Sequence, residues 1–396
     1  MQKVYLGCFL SPSVELEYLQ TSKNQYVIST STFQRALISS FKKLKDITII
    51  NAPDIGSWPK RSSWFHFKAR KEILEGVSCT HVPFLNLTYY KQYSICNSLS
   101  NELNKWAKRE HGDKLIIVYS LIYPYIKAAV NIKRNYPNTK ICCIVLDLPE
   151  YFNDCNSLLS NLTSKTREIY KLTSEIDSFV LLTKQMSDVL NTQERPWLLM
   201  EGIYKPVDVE VQNKQTKTIL YTGKLDSRFG LRDLVDSFLC ISDKDARLWI
   251  CGNGADQDYV EQATKIDPRI TYYGVVRQDE VFKMQRQASI LVNPRRPEGE
   301  YTKYSFPSKT MEYLASGTPT VMFHLPGMPN EYLPYIEIID DKSPSGLKDS
   351  LEKMLACSQQ ELDEIGSKAR DFIMRNKTAD VQMKRFSQFI EEQYEK

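Results

Sequence analysis

The stretch best equipped for chemistry reads Ser305-Phe306-Pro307-Ser308-Lys309-Thr310-Met311-Glu312-Tyr313-Leu314-Ala315-Ser316-Gly317. Proline suits the first turn of a helix and glycine the position just past its end, so the spacing predicts a helix between Pro307 and Gly317. The first N–H groups of a helix have no partner inside it and point along the helix dipole, which makes such a mouth a ready phosphate site. Lys309 adds a full positive charge, and Glu312, one turn in, can accept hydrogen bonds from a pair of sugar hydroxyls. A surface helix with a stray Glu is the plain alternative. The block follows the strand-like run 289–293, and ligands of open α/β sheets gather at the carboxyl ends of strands, which favours the anion site.

Other chemistries lack their residues. No G-x-G-x-x-G follows the first strand, where Gly7-Cys8-Phe9-Leu10-Ser11 supplies one glycine, and Cys251-Gly252-Asn253-Gly254 lacks the third glycine and the later acidic residue, so NAD binding is not expected. A P-loop is missing too. The four histidines, His66, His81, His111 and His324, stand outside ligand spacing of one another. Asp256-Gln257-Asp258 and Asp243-Lys244-Asp245 are read as helix-start carboxylates that complement the dipole, and no metal is expected.

Stepping from these residues to the elements that hold them, 396 residues are too many for one ordinary core, and the length asks for at least two domains. Short aliphatic runs alternate with longer amphipathic ones, the rhythm of α/β folds with parallel sheets. Strands are expected at 3–8, 46–50, 115–119, 140–145 and 178–182, and helices at 32–44, 98–110, 123–135 and 165–174. The second half repeats the pattern, with strands at 218–221, 247–251, 270–273, 290–293, 319–323 and 336–339. The expected fold is therefore two Rossmann-like, doubly wound domains facing across a cleft. The polar, proline-bearing run 202–217 marks the boundary, giving domains 1–203 and 204–375. A single helix over 369–394 follows, whose last part, 376–396, packs back on the first domain.

Residues 1–200 carry 25 Lys and Arg against 17 Asp and Glu, a net +8, whereas 201–396 net −4. The basic runs Lys42-Lys43-x-Lys45, Lys60-Arg61, Lys68-x-Arg70-Lys71 and Lys105-x-x-Lys108-Arg109 suit either anionic lipid or a diphosphate-linked substrate, or are solvated helix faces. No apolar run approaches the roughly 18 residues of a spanning helix, and the N-terminus runs at once into a strand without a signal-peptide core. Cytoplasmic residence is expected, with peripheral contact on the inner face of the membrane as an extension. Nine scattered cysteines without C-x-x-C read as buried thiols, not a disulfide framework.

The Ser305–Gly317 block, continued by Thr318-Pro319, resembles the C-terminal signature of family 4 glycosyltransferases, retaining enzymes of GT-B fold that use nucleotide sugars. Its nearest likeness is the branch associated with bacterial surface polysaccharides. Tyr119-Ser120-Leu121, Val145 through Tyr151, Leu182 through Met186 and Glu201-Gly202-Ile203 are similar in the first half, as are Tyr221-Thr222-Gly223, Gly252-Asn253-Gly254 and Tyr273-Gly274-Val275 in the second. The resemblance implies that Glu312 holds the nucleotide ribose and that Gly274, Val275 and Val276 lie against the base. It implies that Gly223 and Lys224 form the turn whose cation faces the diphosphate, and that Tyr304, Ser305, Phe306, Pro307 and Ser308 line the donor. Arg228, beside Phe229 where a Lys is usual, stands in as a diphosphate cation. The first Glu of the family's pair falls on Tyr304, with Glu298 or Glu300 as substitutes, and Leu121-Ile122-Tyr123 replaces a frequent histidine. Lys224, Arg228, Lys309 and the helix amides would stabilise the departing nucleoside diphosphate, and Asp147 orients the acceptor or caps a helix. The implied partners are a UDP- or GDP-linked sugar donor, with no further cofactor, and a glycan or polyprenyl-diphosphate-linked oligosaccharide acceptor; nucleic acid is not among them. Two rivals stay open at this point: a sugar-nucleotide 2-epimerase of the same fold, which would need acid/base carboxylates and a histidine around the donor, with His324 as the sole candidate, and a catalytically inert subunit of a transferase complex, favoured by Tyr304.

Overall fold

Strands of almost unbroken aliphatic residues need cover on both faces, and in this chain they form parallel sheets sandwiched by helices. The computed structural model describes residues 1–22, 29–151, 164–208 and 213–395. The chain divides into two compact units, one made of 1–203 with 379–396 and the other of 204–378.

In the first unit the order is β1 (Gln2–Gly7), α1 (Pro12–Thr21), α2 (Ser29–Ile38), β2 (Ile47–Asn51), β3 (His66–Phe67), β4 (Arg70–Leu74), β5 (Val77–His81) and β6 (Phe84–Leu85). Then come α3 (Lys91–Arg109), β7 (Lys114–Tyr119), α4 (Tyr123–Asn135), β8 (Thr139–Val145), α5 (Ser164–Thr173), β9 (Ser178–Leu181), α6 (Met186–Val189) and β10 (Trp197–Leu199). Eight strands pair in the order β10-β9-β8-β7-β1-β2-β5-β4, all parallel except β4, which runs antiparallel to β5. β1 and β7, every residue of which is buried except Gln2 at the start of β1, form the middle of the sheet. The expected helix over 32–44 ends early: α2 stops at Ile38, and a 3₁₀ turn, Phe41–Lys43, follows two serines.

The second unit runs β11 (Gln215–Lys224), α7 (Leu231–Leu239), β12 (Arg247–Asn253), α8 (Gln257–Ile266), β13 (Ile270–Gly274), α9 (Gln278–Gln287) and β14 (Ala288–Asn293). α10 (Ser308–Ser316), β15 (Thr320–Met322), β16 (Glu337–Ile338), α11 (Pro344–Leu355) and α12 (Gln359–Asn376) complete it, and α13 (Ala379–Tyr394) belongs to the first unit. The six strands are all parallel in the order β13-β12-β11-β14-β15-β16, the Rossmann arrangement, with a topological switch between β11 and β14. One face packs Ile219, Ile250, Ile290 and Val292 against Leu234 and Phe238 of α7 and Leu351 of α11. Each such side chain contributes about 1.5–3 kcal/mol on burial.

The single helix expected over 369–394 is two helices. The carbonyl of Lys377 accepts a hydrogen bond from Tyr204 N–H at 2.8 Å, and Thr378 bridges to Tyr204, which diverts the backbone from its helical ladder. Lys377 itself is buried over the rings of Tyr332 and Phe372 and bonds Glu331 at 2.6 Å. Beyond the break, α13 buries Met383, Phe386 and Ile390, and Gln382 and Arg385 donate to the carbonyls of Gly202 and Leu199.

Candidate active site

Around the end of β11 two glycines let backbone segments close on one another, one against β12 and one against the loop after β14. Gly252 pairs in register with Gly223, and at its φ of 135° a Cβ would stand 1.8 Å from the Gly223 carbonyl oxygen. The Gly-Asn-Gly run is thus a close approach of two strand ends, not a fragment of a dinucleotide motif. Gly230, at φ 77°, sits so near the loop after β14 that a Cβ would be 2.0 Å from the Pro294 carbonyl. The loops leaving β11 and β14 are thereby held together.

α10 opens onto this edge. Pro307 is its N-cap, at φ −66° and ψ 111°, and contributes no capping side chain; Gly317 closes the other end at φ 78°. Among the described residues nothing accepts from the N–H groups of Ser308 and Lys309, so the mouth is uncapped. The helix is clasped to β11 by buried Tyr313, whose hydroxyl accepts from Thr222 N–H at 2.9 Å and donates to the Thr222 carbonyl at 3.2 Å. Lys309 is half-buried, with Nζ 3.3 Å from Thr222 Oγ1 and no carboxylate in ion-pair range among the described residues. Glu312 is half-buried on the same helix. Burial pushes its carboxyl above the usual range, and Lys309 and the Gln285 amide pull it part of the way back.

The structure therefore sets Lys309 against Thr222, the residue before Gly223, with Ser308 and Glu312 on the same helix. Lys224 is exposed at the end of β11. Arg228, expected as a free diphosphate cation, is gripped by Asp226: Nη2 lies 2.7 Å from Oδ2, and Nε 3.0 Å from Oδ1. The guanidinium holds the Asp226 carboxyl below its ordinary range, and its own charge is correspondingly committed. Phe306 is buried against Tyr332, with ring centroids 5.1 Å apart, so it anchors the approach to α10 instead of offering a face to ligand. Ser305 accepts from Arg295, and Tyr304 ends a 3₁₀ turn, Glu300–Tyr304. Glu298, Glu300 and His324 are exposed. Gly274, at φ 66° with open space where a Cβ would stand, precedes exposed Val275 and half-buried Val276, and Tyr273 packs edge-on to Trp249. In the first unit Asp147 is exposed past the end of β8, next to a 3₁₀ turn, Pro149–Tyr151.

Sequence reasoning passed over Thr222, Tyr313, Gln285 and above all Arg295. The visible signal was the Arg295-Arg296 pair just after Pro294, which follows a strand ending at Asn293. Asp256, at the N-cap of α8 as expected, is ion-paired with Arg232 at 2.5 Å, whereas Asp243 and Asp245 lie at a turn ahead of β12 and not at a helix start, Asp243 pairing with Lys217 at 2.9 Å.

The first unit has one cluster with metal-ligating residue types among the described residues, Glu72, Cys79 and His81. Its protons argue against a metal. Asn51 is fixed by Phe9, accepting from its N–H at Oδ1 and donating to its carbonyl from Nδ2, and the same Nδ2 faces His81 Nδ1 at 2.9 Å. Nδ1 must then accept, which leaves the proton on Nε2, 2.5 Å from Glu72 Oε1. Burial lowers the His81 pKa and raises that of the Cys79 thiol, so both stay neutral, and the group is a hydrogen-bonded brace between β2, β4 and β5.

Residues 216–356 match the family model described as Glycosyl transferases group 1. By structure, the chain is similar to sucrose-phosphate synthase from Thermosynechococcus elongatus, with a TM-score of 0.64, 12% identity and 98% of each chain covered. A mutant form of S. aureus TarM, solved with fondaparinux, alpha-GlcNAc-glycerol and UDP, gives 0.61 at 11% identity, over 98% of this chain and 99% of that one. The pneumococcal O-GlcNAc transferase GtfA, solved with UDP and GlcNAc, gives 0.61 at 11% identity, over 100% and 99%. No curated protein matches by sequence. The fold is of GT-B type, two Rossmann-like α/β units.

Proposed function

We propose that this chain is a retaining glycosyltransferase that moves a sugar from a UDP- or GDP-linked donor to a hydroxyl acceptor. The observation that carries the reading is the uncapped mouth of α10, with Lys309 and Glu312 on its first turns, at the switch point of a Rossmann-ordered sheet. The group 1 family match over the same unit supports it. Glu312 accepts from the ribose hydroxyls, and backbone groups at Gly274, Val275 and Val276 border the base. Ser308 and Lys309 amides, with the Lys309 ammonium, meet the diphosphate.

In glycosyl transfer with retention, the bond from the anomeric carbon to the phosphate oxygen breaks as negative charge builds on the nucleoside diphosphate. Preorganised amides and a nearby cation stabilise that charge more than they stabilise the bound donor, and so lower the barrier. The acceptor hydroxyl attacks from the face the diphosphate leaves, and its proton passes to the departing phosphate oxygen. That route asks for no protein nucleophile, which suits a site where Tyr304 stands at the position of a family carboxylate. The same amides and the Lys309 ammonium make a bound metal ion unnecessary in this reading. The net +8 of residues 1–200 supports an acceptor bearing phosphate, such as a polyprenyl-diphosphate-linked glycan met at a membrane surface, and a place in bacterial surface polysaccharide assembly. Among the described residues no helix is long and apolar enough to cross a membrane.

A panel of UDP-, GDP- and ADP-sugars with and without glycan acceptors tests the proposal. Acceptor-dependent release of nucleoside diphosphate, with the donor's anomeric configuration kept in the product, is the expected result. Acceptor-free epimer formation would identify an epimerase instead, and binding without turnover an inert subunit. UDP-sugars come first, because TarM and GtfA were solved with UDP.

A further inference from the structure

Arg295 is only 8% exposed, one residue past Pro294 where the chain leaves β14. Its Nη2 donates to Ser305 Oγ at 2.8 Å, and the guanidinium lies 4.8 Å from the Tyr301 ring centroid and 5.8 Å from that of Phe229. Its Nε is buried without a hydrogen-bond partner, and among the described residues no carboxylate lies within ion-pair distance. The acidic residues of the same loop, Glu298 and Glu300, point their charge to solvent. Arg269 shows the usual solution for a covered arginine, a carboxylate at 2.7 Å on Asp267.

An arginine does not shed its proton at ordinary pH, so it cannot escape burial by becoming neutral. A buried charge without a counter-charge is strongly destabilising, and its persistence calls for an anion that arrives from outside. The position says which anion. Ser305, the hydroxyl that Arg295 grips, lies two residues before the Pro307 cap of α10. Phe229 belongs to the loop that Gly230 presses onto Pro294. A guanidinium with neutral hydroxyl partners at Ser305 and Tyr301, an unpartnered Nε and no counter-charge is thus tied to the segment that leads into the same uncapped helix mouth, where Arg228 is bound to Asp226.

We propose that Arg295 is a binding residue of the donor site, its guanidinium taking an oxyanion of the bound nucleotide sugar beside the Ser308 and Lys309 amides. That oxyanion is either the diphosphate or a carboxylate on the transferred sugar. The inference rests on the glycosyltransferase reading and adds the group that neutralises its ligand.

The test uses R295M, which keeps the stem and loses the charge, and R295K, which keeps the charge and loses the planar fork. Thermal melts without ligand and calorimetric titrations with UDP, UMP, inorganic pyrophosphate, UDP-glucose and UDP-glucuronate, and with GDP and GMP, are compared with the parent. R295M melts at or above the parent, since an uncompensated charge has gone, yet binds either the nucleoside diphosphates or UDP-glucuronate alone roughly 10- to 10²-fold more weakly, as loss of a charge-assisted hydrogen bond implies. A loss shared by pyrophosphate assigns the diphosphate; a loss confined to UDP-glucuronate assigns the sugar carboxylate. An R295M that melts well below the parent and keeps its affinities makes Arg295 structural and overturns the proposal. Should R295M fail to fold, R295K decides: several-fold weaker binding supports the proposal, and parental affinity overturns it. If the parent itself binds no nucleotide or pyrophosphate, the glycosyltransferase reading falls and this inference with it, whereas parental affinity in both variants fells this inference alone.

Discussion

Replacing Glu312 by Gln separates what the residue costs the empty protein from what it gives the ligand. Burial holds the Glu312 carboxyl above its ordinary value of 4.5. The folded chain therefore binds more protons than the unfolded one between 4.5 and the raised value. Stability falls as pH rises through that window; the penalty is absent below it and complete above it. Gln imitates the protonated form, so E312Q stabilises the empty protein at pH 7 and removes this slope. A bound ribose reverses the balance. Its hydroxyls donate to the ionised carboxylate, and a hydrogen bond to a charged acceptor is worth about 1.5–3 kcal/mol, so E312Q weakens nucleotide binding by roughly 10- to 10²-fold. Because the ligand favours the ionised form, parental affinity rises with pH through the Glu312 titration, and binding at the acid end releases protons. Calorimetry in two buffers of different ionisation enthalpy, with UDP or GDP, reads that release directly. Parental affinity in E312Q, together with a lower melting point at pH 7, would refute the reasoning.

The other predictions concern the same unit. K309A lowers sugar transfer by at least about 10²-fold, the usual loss when one preorganised stabiliser of a leaving group is removed, and turnover within a few-fold of the parent would remove Lys309 from the mechanism. G252A places a Cβ 1.8 Å from the Gly223 carbonyl at a φ of 135°, and should cost about 2–4 kcal/mol in chemical denaturation, with nucleotide binding lost first. Burial lowers the Lys214 pKa to about 8, with Asp363 opposing. The folded chain then holds fewer protons than the unfolded one between about pH 8 and 10.5, so Lys214 makes stability rise with pH there. Melting curves of the parent minus those of K214M should show that rise.

The α/β rhythm could be read from the chain because buried parallel strands are aliphatic runs, and β1, β7, β8 and the strands of the second unit stand out on that ground. β4 does not. Its residues alternate between half-buried and exposed, Arg70-Lys71-Glu72-Ile73-Leu74, as suits an edge strand, and its antiparallel pairing with β5 depends on a turn at Glu75-Gly76 with both φ values positive. The join between α12 and α13 was equally hidden. Its residues, Asn376-Lys377-Thr378, hold no proline or glycine, and the helix stops because Tyr204, far off in sequence, takes the Lys377 carbonyl. Local propensity cannot report a hydrogen bond made across 173 positions.

The candidate site shows the same division between local and non-local signals. The mouth of α10 was legible because a cap, a charge and a terminal glycine fall within one short segment. The partners of the cations were not. In the sequence, Arg228 and Arg295 are both loop arginines following a strand, and the resemblance made Arg228 the one to choose. The structure separates them by what lies opposite: Arg228 meets the Asp226 carboxylate, two residues away, whereas Arg295 sinks between Tyr301 and Phe229 with the neutral Ser305 and Tyr301 hydroxyls as partners and, among the described residues, no carboxylate in ion-pair range. A paired surface arginine contributes little to a ligand, since taking it away from its carboxylate offsets most of what a new anion would gain. A buried unpaired one is already desolvated and oriented, so an arriving phosphate or carboxylate collects the interaction without that loss. The free energy available for gripping the donor is therefore set less by how many positive residues surround the site than by which of them folding has left unmatched.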